Sequence, residues 1–554
     1  MEDAGIILKH LTEMDPFGAD STLRSIATGV VAHPTVNVYD AKSVGDKIVQ
    51  SMEGTSVAAH SFQKKNQAVT MDMKITVKVK GEEIQVDPHL LFQRLVTAGN
   101  RSCDLSDVFK HELCSFPTAL FDSKTVMRLA NKSSLANALW TTLSAEFSRP
   151  NTEEVRYVLD GGALLHRIPW TKGNTWSSIC GQYAHYVKTR YPEVTVVFDG
   201  YTDGATTKDC THARRSSQGI GAKVNFKSNM PLQMKKEDFL SNKDNKQQFV
   251  NMLGDCLKSD GNHVRHASGD ADVLIVLTAI ESAQHHDTVL IGEDTDLLVL
   301  LFHHIKDAKN KVFFTTEPKK MSLKPTKCWD ITTARSLLGP SLCEHLLFLH
   351  AVSGCDTTSR LYGVGKQAVL TKARKDDFLI QQARVFMDQT SSKEEIVKAG
   401  ERAVVHLYNG KPHESVDVLR LQKFHDKARS SVAVVQPHAL PPTSAAVKYH
   451  SLRVYLQVQT WMSNTCTLSP DQWGWKSVQG KLVPVLTDLP PAPQELLDIV
   501  RCNCKSGCNT ARCTCLKNGL ECSMACGDCK GVCENCSVFP SDVMEEDVDD
   551  ESLL

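Results

Sequence analysis

The chain has 554 residues, of which 41% are hydrophobic and 23% charged, and its formal net charge is -1. That length exceeds what one core can fill, so three or four units are expected, and the balanced charge excludes attraction to nucleic acid through overall charge, leaving that role to local patches. No apolar run reaches the roughly 20 residues of a membrane span and the start of the chain lacks a signal pattern, so a protein inside the cell, with no membrane partner, is the expectation.

Residues 1–150 alternate short helical and strand patterns, with KITVKVKGEEIQV (74–86) alternating around Gly81 like a hairpin and PHLLFQRLV following as a helix. An α+β region of unknown role is expected there. From 151 to 380 the β-rich runs VRYVLD, VTVVFDG and TVLIGED alternate with helical stretches at 235–258 and 341–352. That is the pattern of an α/β domain whose mainly parallel sheet is flanked by helices. Residues 381–498 read as a helical and linker region, with a helix near KEEIVKAGERAVVHLYN and a Pro-rich end, LPPAPQELL. A cysteine-rich module (499–537) and an acidic tail (538–554) close the chain, the tail reading as a solvated, disordered end.

The stretch VLIGEDTDLLVLL, residues 289–301, interrupts an apolar run with Glu293, Asp294 and Asp296. Carboxylates rarely sit at the edge of a core without a partner. In an open parallel sheet, ligands bind beyond the carboxyl ends of the strands, where the loops converge. Asp160 ends YVLDGG, Asp199 ends VVFDG, and Asp294 and Asp296 follow the third run, so three strands deliver acids to one edge. SGDADVLIVLTAI adds Asp270 and Asp272 at a helix start, where they converge only if Asp270 lies at or before the cap. HAVSGCDTTS adds Asp356 after a helix. Singly, each acid reads as a turn former or a partner of a helix dipole. As a set they are costly: at about 4 Å and an effective dielectric of about 20, each like-charge pair costs roughly 4 kcal/mol. Hard divalent cations remove that cost, and all-oxygen ligation suits Mg²⁺ or Mn²⁺ rather than zinc. His303, His304 and His350, on apolar helices, read as satisfied core residues.

In order, VLDGG, VVFDG, DAD, GEDTD and GCDTTSRLYGVGK resemble the PIN-like core of the flap endonuclease and XPG nuclease superfamily over about 155–375. The resemblance implies that Asp160, Asp199, Asp270, Asp272, Asp294, Asp296 and Asp356 hold two Mg²⁺ or Mn²⁺ ions that cleave phosphodiesters. The family often has Glu at the third pair, whereas this chain has Asp at both positions, which shortens the reach to metal. Lys208 and Arg215, seven residues apart in KDCTHARR, are placed like the family's basic gateway residues and would steady the scissile phosphate. YGVGK is similar to the glycine turn of the family's helix–two-turn–helix, where Gly363, Gly365 and Lys366 would meet a DNA phosphate. Metal chemistry of this kind requires no protein nucleophile.

Of nineteen cysteines, ten lie between Cys502 and Cys536 and the rest are scattered singly. This is the usage of a metal module in a reducing compartment, not of a disulfide framework. The C-x-C pairs are too close for separate fingers and imply shared ligands: three zinc ions need about twelve ligand positions, which nine cysteines fill if three of them bridge. The stretch resembles the tesmin-like CXC domain, which binds DNA. The implied ligands are Cys502, Cys504, Cys508, Cys513, Cys515, Cys522, Cys526, Cys529 and either Cys533 or Cys536. That family carries two repeats and a Tyr before the second C-x-C; this chain has one repeat and Arg512 there. Arg501, Lys505, Arg512 and Lys517 form a basic strip suited to phosphates, and a zinc knot that serves only folding or protein contacts is the alternative.

The expectation is a nuclear, two-metal-ion nuclease acting on structured DNA, or on RNA, and tethered by its CXC module. The alternative is an inactive DNA-binding or chromatin-associated protein that keeps the nuclease fold as a scaffold. The whole chain, ELCSFPTALFD and DQWGWK included, also resembles uncharacterised animal proteins with a suggested mobile-element origin, which adds no mechanism.

Overall fold

The computed structural model describes residues 5, 8, 40–53, 75–79, 82–86, 88–143, 150, 154–200, 206–208, 221–317, 327–430, 435–463, 468–505, 507–523, 525–530 and 533–536. Arg215 and the acidic tail lie outside them. The alternating run near residue 80 forms an antiparallel hairpin of β1 (Ile75–Val79) and β2 (Glu82–Val86), and Pro88 opens helix α1 (Pro88–Ser102). Val77, Val79, Ile84 and Val86 are buried, as the alternation requires. Helix α2 (Ser133–Leu143) precedes the central sheet.

That sheet consists of β3 (Arg156–Asp160), β4 (Val194–Phe198), β5 (His263–His266), β6 (Thr288–Ile291), β7 (Val312–Thr315) and β8 (Cys328–Asp330). Their spatial order is β5-β4-β3-β6-β7-β8, and every neighbouring pair is parallel except β7 with β8 at one edge. The expected mainly parallel α/β sheet is therefore present. Helices α3 (Gly161–Arg167), α4 (Trp176–Arg190) and α5 (Lys243–Ser259) belong to the β3–β4–β5 half, while α6 (Asp272–Ser282) and α7 (Thr295–His304) flank β6. The stretch expected as one helix over 235–258 is two, Lys236–Ser241 and α5. Asn242 divides them because its side chain accepts from the N–H groups of Asp244 and Asn245, at 3.0 and 3.2 Å, and so caps the second helix.

Side chains alternate across the sheet, and two cores result. Leu159, Val196, Phe198, Val289, Ile291 and Phe313 join Trp176, Tyr183 and Phe249 on one face. Val158, Val197, Leu290, Val312 and Phe314 join the larger cluster on the other, which takes in α7 and the later helices α8 (Pro340–Val352), α9 (Lys366–Lys375), α10 (Lys393–Leu407) and α11 (Ser444–Trp461). Every residue of α7 from Thr295 to His303 is buried, as befits a helix that is apolar all round. VLIGEDTDLLVLL is thus a strand, an acidic turn and a core helix. Gly161 is required where α3 starts against β4: a Cβ there would stand 2.2 Å from Phe198 Cδ1 and 2.7 Å from the Val197 carbonyl oxygen.

Chain order makes β3 a topological switch point, with β4 and β5 added on one side and β6, β7 and β8 on the other. The larger core also includes the hairpin, α1 and the cysteine module, so these segments are packed on the rest of the chain. The Pro-rich stretch expected as a linker is docked: Leu496 and Leu497 are buried, and Leu113 N–H donates to the Pro491 carbonyl at 2.8 Å. Among the described residues no helix is long and apolar enough to cross a membrane.

A buried ion pair fastens the N-terminal segment to the helical layer. Arg420 donates to the Glu112 carbonyl at 2.9 Å, and the Glu112 carboxylate accepts from Thr443 N–H and Oγ1 at 2.8 and 2.9 Å. Glu112 is 3% exposed and Arg420 0%. Arg420→Ala would strand the carboxylate without its cation, so a loss of about 3–5 kcal/mol is expected in urea unfolding; a change within about 0.5 kcal/mol would contradict that role.

Candidate functional site

The acids stand over the switch point. Asp160 ends β3 and caps α3, its Oδ1 accepting from Gly162 and Ala163 N–H at 2.8 and 3.2 Å. Asp199 follows β4, and its Oδ1 accepts from Ala271 N–H at 3.0 Å. Ala271 caps α6, so Asp270 lies just before the cap and Asp272 is the first helical residue, the condition under which the two can converge. Asp294 caps α7 and accepts from Asp296 N–H at 3.0 Å. Asp356 lies in the turn after α8. Each local structural role is therefore real, and the acids also gather. Glu293 turns aside to pair with Arg167.

Crowding and burial leave their mark on the carboxyls. Burial pushes Asp160 up to about 6 with help from the Asp199 and Asp294 charges, and burial and Asp296 push Asp294 up to about 6. Asp272 is raised well above the carboxylate range by burial and, against the pull of Lys208, by Asp270. Asp296 goes the other way: burial opposes ionisation, but Lys132 and His350 outweigh it and hold the group well below its usual range.

The cations responsible come from separate elements. Lys132, immediately before α2, places Nζ 3.2 Å from Asp294 Oδ2, 2.9 Å from Asp296 Oδ2 and 3.0 Å from Asp356 Oδ2. Lys208 Nζ lies 2.6 Å from Asp270 Oδ1 and 3.2 Å from Asp272 Oδ2. Lys246 on α5 is held down by burial, opposed by the nearby Asp199 and Asp160 charges. Sequence reasoning missed Lys132 and Lys246, since a lysine before or within an amphipathic helix carries no signal of what it faces.

His350 differs from its expected role as a bystander in the core. It is fully buried, and its Nε2 lies 2.8 Å from Asp296 Oδ1, stacked beside Trp461. Lys366 Nζ donates to His350 Nδ1 at 2.9 Å, to the His350 carbonyl at 2.9 Å and to Ser353 Oγ at 3.1 Å. Burial and Lys366 push His350 down to about 4, so the ring is neutral at pH 7, with Nε2–H donating to Asp296. Lys366, expected on a DNA phosphate, is instead 3% exposed and turned inward by these bonds. Gly363 has φ +75°, and Gly365 caps α9 without a side-chain bond. His303 is a buried core residue as expected and His304 is half-buried, and they bond to the carbonyls of Glu344 and Trp461 at 2.9 and 2.8 Å.

The donor set fits a hard cation. Oxygens of Asp294, Asp296 and Asp356 lie within 4.8 Å of one another, and this triad together with the raised carboxyls beside it forms an all-oxygen site of surplus negative charge. Without added Mg²⁺ or Mn²⁺, the Asp160 charge destabilises the fold. The penalty is absent below its ordinary value near 3.8, grows as pH rises toward about 6, and is complete above that. Asp160→Asn keeps a capping oxygen and removes the charge, so it should raise stability by about 3 kcal/mol at pH 7.5 and by well under about 1 kcal/mol at pH 4. Urea melts at the two pH values check this, and a variant no more stable at pH 7.5 would refute it.

The cysteine sulfurs form overlapping quartets, each within 4.8 Å: Cys502, Cys504, Cys508 and Cys513; Cys502, Cys522, Cys526 and Cys529; Cys502, Cys513, Cys515 and Cys522; Cys508, Cys522, Cys529 and Cys533. Shared membership of Cys502 and Cys522 is what a cluster with bridging thiolates requires, and such a set can hold zinc. Cys533 joins a quartet, whereas Cys536 joins none among the described residues. Of the basic strip, Lys505, Arg512 and Lys517 are exposed, but Arg501 is 5% exposed and paired with Glu82 of the hairpin.

Arg94 of α1 clasps the module. Its Nε donates to the Val500 carbonyl at 2.7 Å, Nη1 to the Glu521 carbonyl at 2.5 Å and Nη2 to Cys515 Sγ at 3.1 Å. Donors to ligating sulfur orient and stabilise it. Arg94→Met should speed zinc loss to a chromogenic chelator by about 10-fold or more, the low end of what outer-shell contacts are worth; an unchanged rate would leave Arg94 a packing residue only.

Comparison with known proteins adds the following. A domain of unknown function (DUF8702) matches residues 1–112. No curated protein matches the chain. Among solved structures, the catalytic core of Rad2 in complex with DNA substrate is similar at 14% identity and TM-score 0.27, over 56% of this chain and 92% of that one. Phage T5 D15 protein co-crystallised with metal ions is similar at 12% and 0.27, over 56% and 99%. Human GEN1 in complex with Holliday junction DNA is similar at 12% and 0.29, over 59% and 78%. At such scores the likeness carries no weight for the function of this chain.

Proposed function

We propose that this chain is a divalent-metal-dependent nuclease that hydrolyses phosphodiester bonds in structured DNA, with its zinc-loaded cysteine module as a second DNA contact and the nucleus as its place of action. The observation that supports this best is the gathering of carboxylates from separate loops over the switch point of a parallel sheet, with Lys208 and Lys246 beside them. Asp294, Asp296 and Asp356 would hold one ion, and Asp160, Asp199, Asp270 and Asp272 would share a second. Bound there, Mg²⁺ or Mn²⁺ supplies an activated water and neutralises charge on the leaving oxygen.

The chain's own residues do the rest. Lys208 sits on the acid cluster with a flexible stem and can pass from Asp270 to a substrate phosphate. The neutral His350, fixed by Lys366, donates to Asp296 and keeps its other oxygen turned toward Asp294 and Asp356. The turn at Gly363 and the uncapped first turn of α9 offer backbone N–H groups to a duplex phosphate. Lys505, Arg512 and Lys517 present positive charge to the DNA backbone. One observation favours the inactive-scaffold reading: Lys132 already occupies the triad.

The deciding experiment is cleavage of labelled flap, bubble, hairpin, duplex and RNA substrates with Mg²⁺ or Mn²⁺. Wild type should cut, and Asp199→Asn and Asp296→Asn should each lose roughly 1000-fold, the several kcal/mol that metal charge supplies, with unchanged circular dichroism. A wild type that binds DNA but cuts none of these substrates would support the scaffold.

A further inference from the structure

Lys132 lies outside the stretch 155–375 that resembles a nuclease core, yet its ammonium sits within the acid triad. Its Nζ lies 2.9–3.2 Å from an oxygen of each of the three carboxylates, and 3.3 Å from the second oxygen of Asp294. The ammonium is therefore held by the same three carboxylates that form the candidate cation triad. Ligand oxygens approach Mg²⁺ to about 2.0–2.1 Å, so an ion drawn among the three from the side that Nζ fills would overlap the ammonium.

We propose that Lys132 is a built-in competitor for one ion seat. Its ammonium fills the Asp294, Asp296 and Asp356 triad in the metal-free protein and must swing out for a divalent cation to enter. The inference rests on the metal-binding reading above. The means to move are present. The Lys132 side chain is 16% exposed, so its head has a path to solvent along a flexible four-carbon stem. The helix that follows does not depend on it for its place: Trp140 of α2 packs edge-on against Trp329 at 4.8 Å between ring centroids, and Lys327 donates to Asn137 at 2.9 Å. Lys132 can therefore leave while α2 stays. His350 continues to hold Asp296 after the exchange.

Competition makes two measurements move together, neither of them cleavage. The zinc-loaded full chain is titrated with Mn²⁺, reading the free-ion signal by electron paramagnetic resonance, and is melted with and without Mn²⁺. Lys132→Met should bind one Mn²⁺ at least about 10-fold more tightly than wild type, because no ammonium has to be displaced. Without Mn²⁺ this variant should melt below wild type, since the triad has lost its cation, and saturating Mn²⁺ should erase the difference. Should Lys132→Met fail to fold, Lys132→Gln, neutral but still a donor, is read in the same way. Equal or weaker Mn²⁺ binding by the variant while wild type binds normally would overturn the competition and leave the metal reading standing. Absence of Mn²⁺ binding in both proteins would overturn the two together.

Discussion

Carboxylates gathered at the edge of a sheet repel one another where water is scarce, and each must find a cation or a proton. In this chain three lysines from three different elements answer that need, Lys132 before α2, Lys208 after β4 and Lys246 in α5. They leave the cluster short of positive charge: burial, with neighbouring carboxylates, keeps Asp160 and Asp294 raised, while Lys132 and His350 lower Asp296. A cluster so short of positive charge is of the kind that hard divalent cations stabilise. The parallel sheet creates that need, because its parallel strands bring successive loops to the same edge and the reversal of strand order at β3 opens a crevice there.

The same demand reaches into the helical layer. Asp296 is 2% exposed, and a buried carboxylate with an unmet oxygen would be expensive. His350 meets it from α8, and Lys366 fixes the ring from the first residue of α9. A line of three polar side chains thus ties the turn after β6 to two helices well downstream, and its cost is contained because every member has a partner. The price is that Lys366 is lost to the surface, so any phosphate contact at the glycine turn falls to backbone N–H groups.

The cysteine module follows a related logic. Its thiols lie too near one another for independent sites, and the module is joined to the far end of the chain through Arg94 and through the Arg501 pair with Glu82. Cysteines 502, 508, 513, 515, 522, 526 and 529 belong to the same contiguous core as the hairpin. Metal in the cluster would therefore stabilise the N-terminal hairpin and α1 as well as the module itself.

Local chemistry was legible before any coordinates. Short β-rich runs in VTVVFDG and TVLIGED marked strands, the residue after each apolar run marked an acidic edge, and cysteine spacing marked shared thiolates, because these features depend on neighbours within a few positions. Helix breaks were less legible: Asn242 divides an apparently continuous helix through two side-chain bonds that periodicity does not register. The roles of Lys132, His350, Lys366, Arg94 and Arg501 were decided by tertiary structure alone. A lysine at 132 is an ordinary helix-start residue until Asp296 stands 2.9 Å from it, and His350 is an ordinary apolar-helix histidine until the same carboxylate meets its ring. Sequence pattern reports which face a residue occupies, whereas charge balance and ligand geometry depend on what lies opposite, and that is set only when distant segments pack.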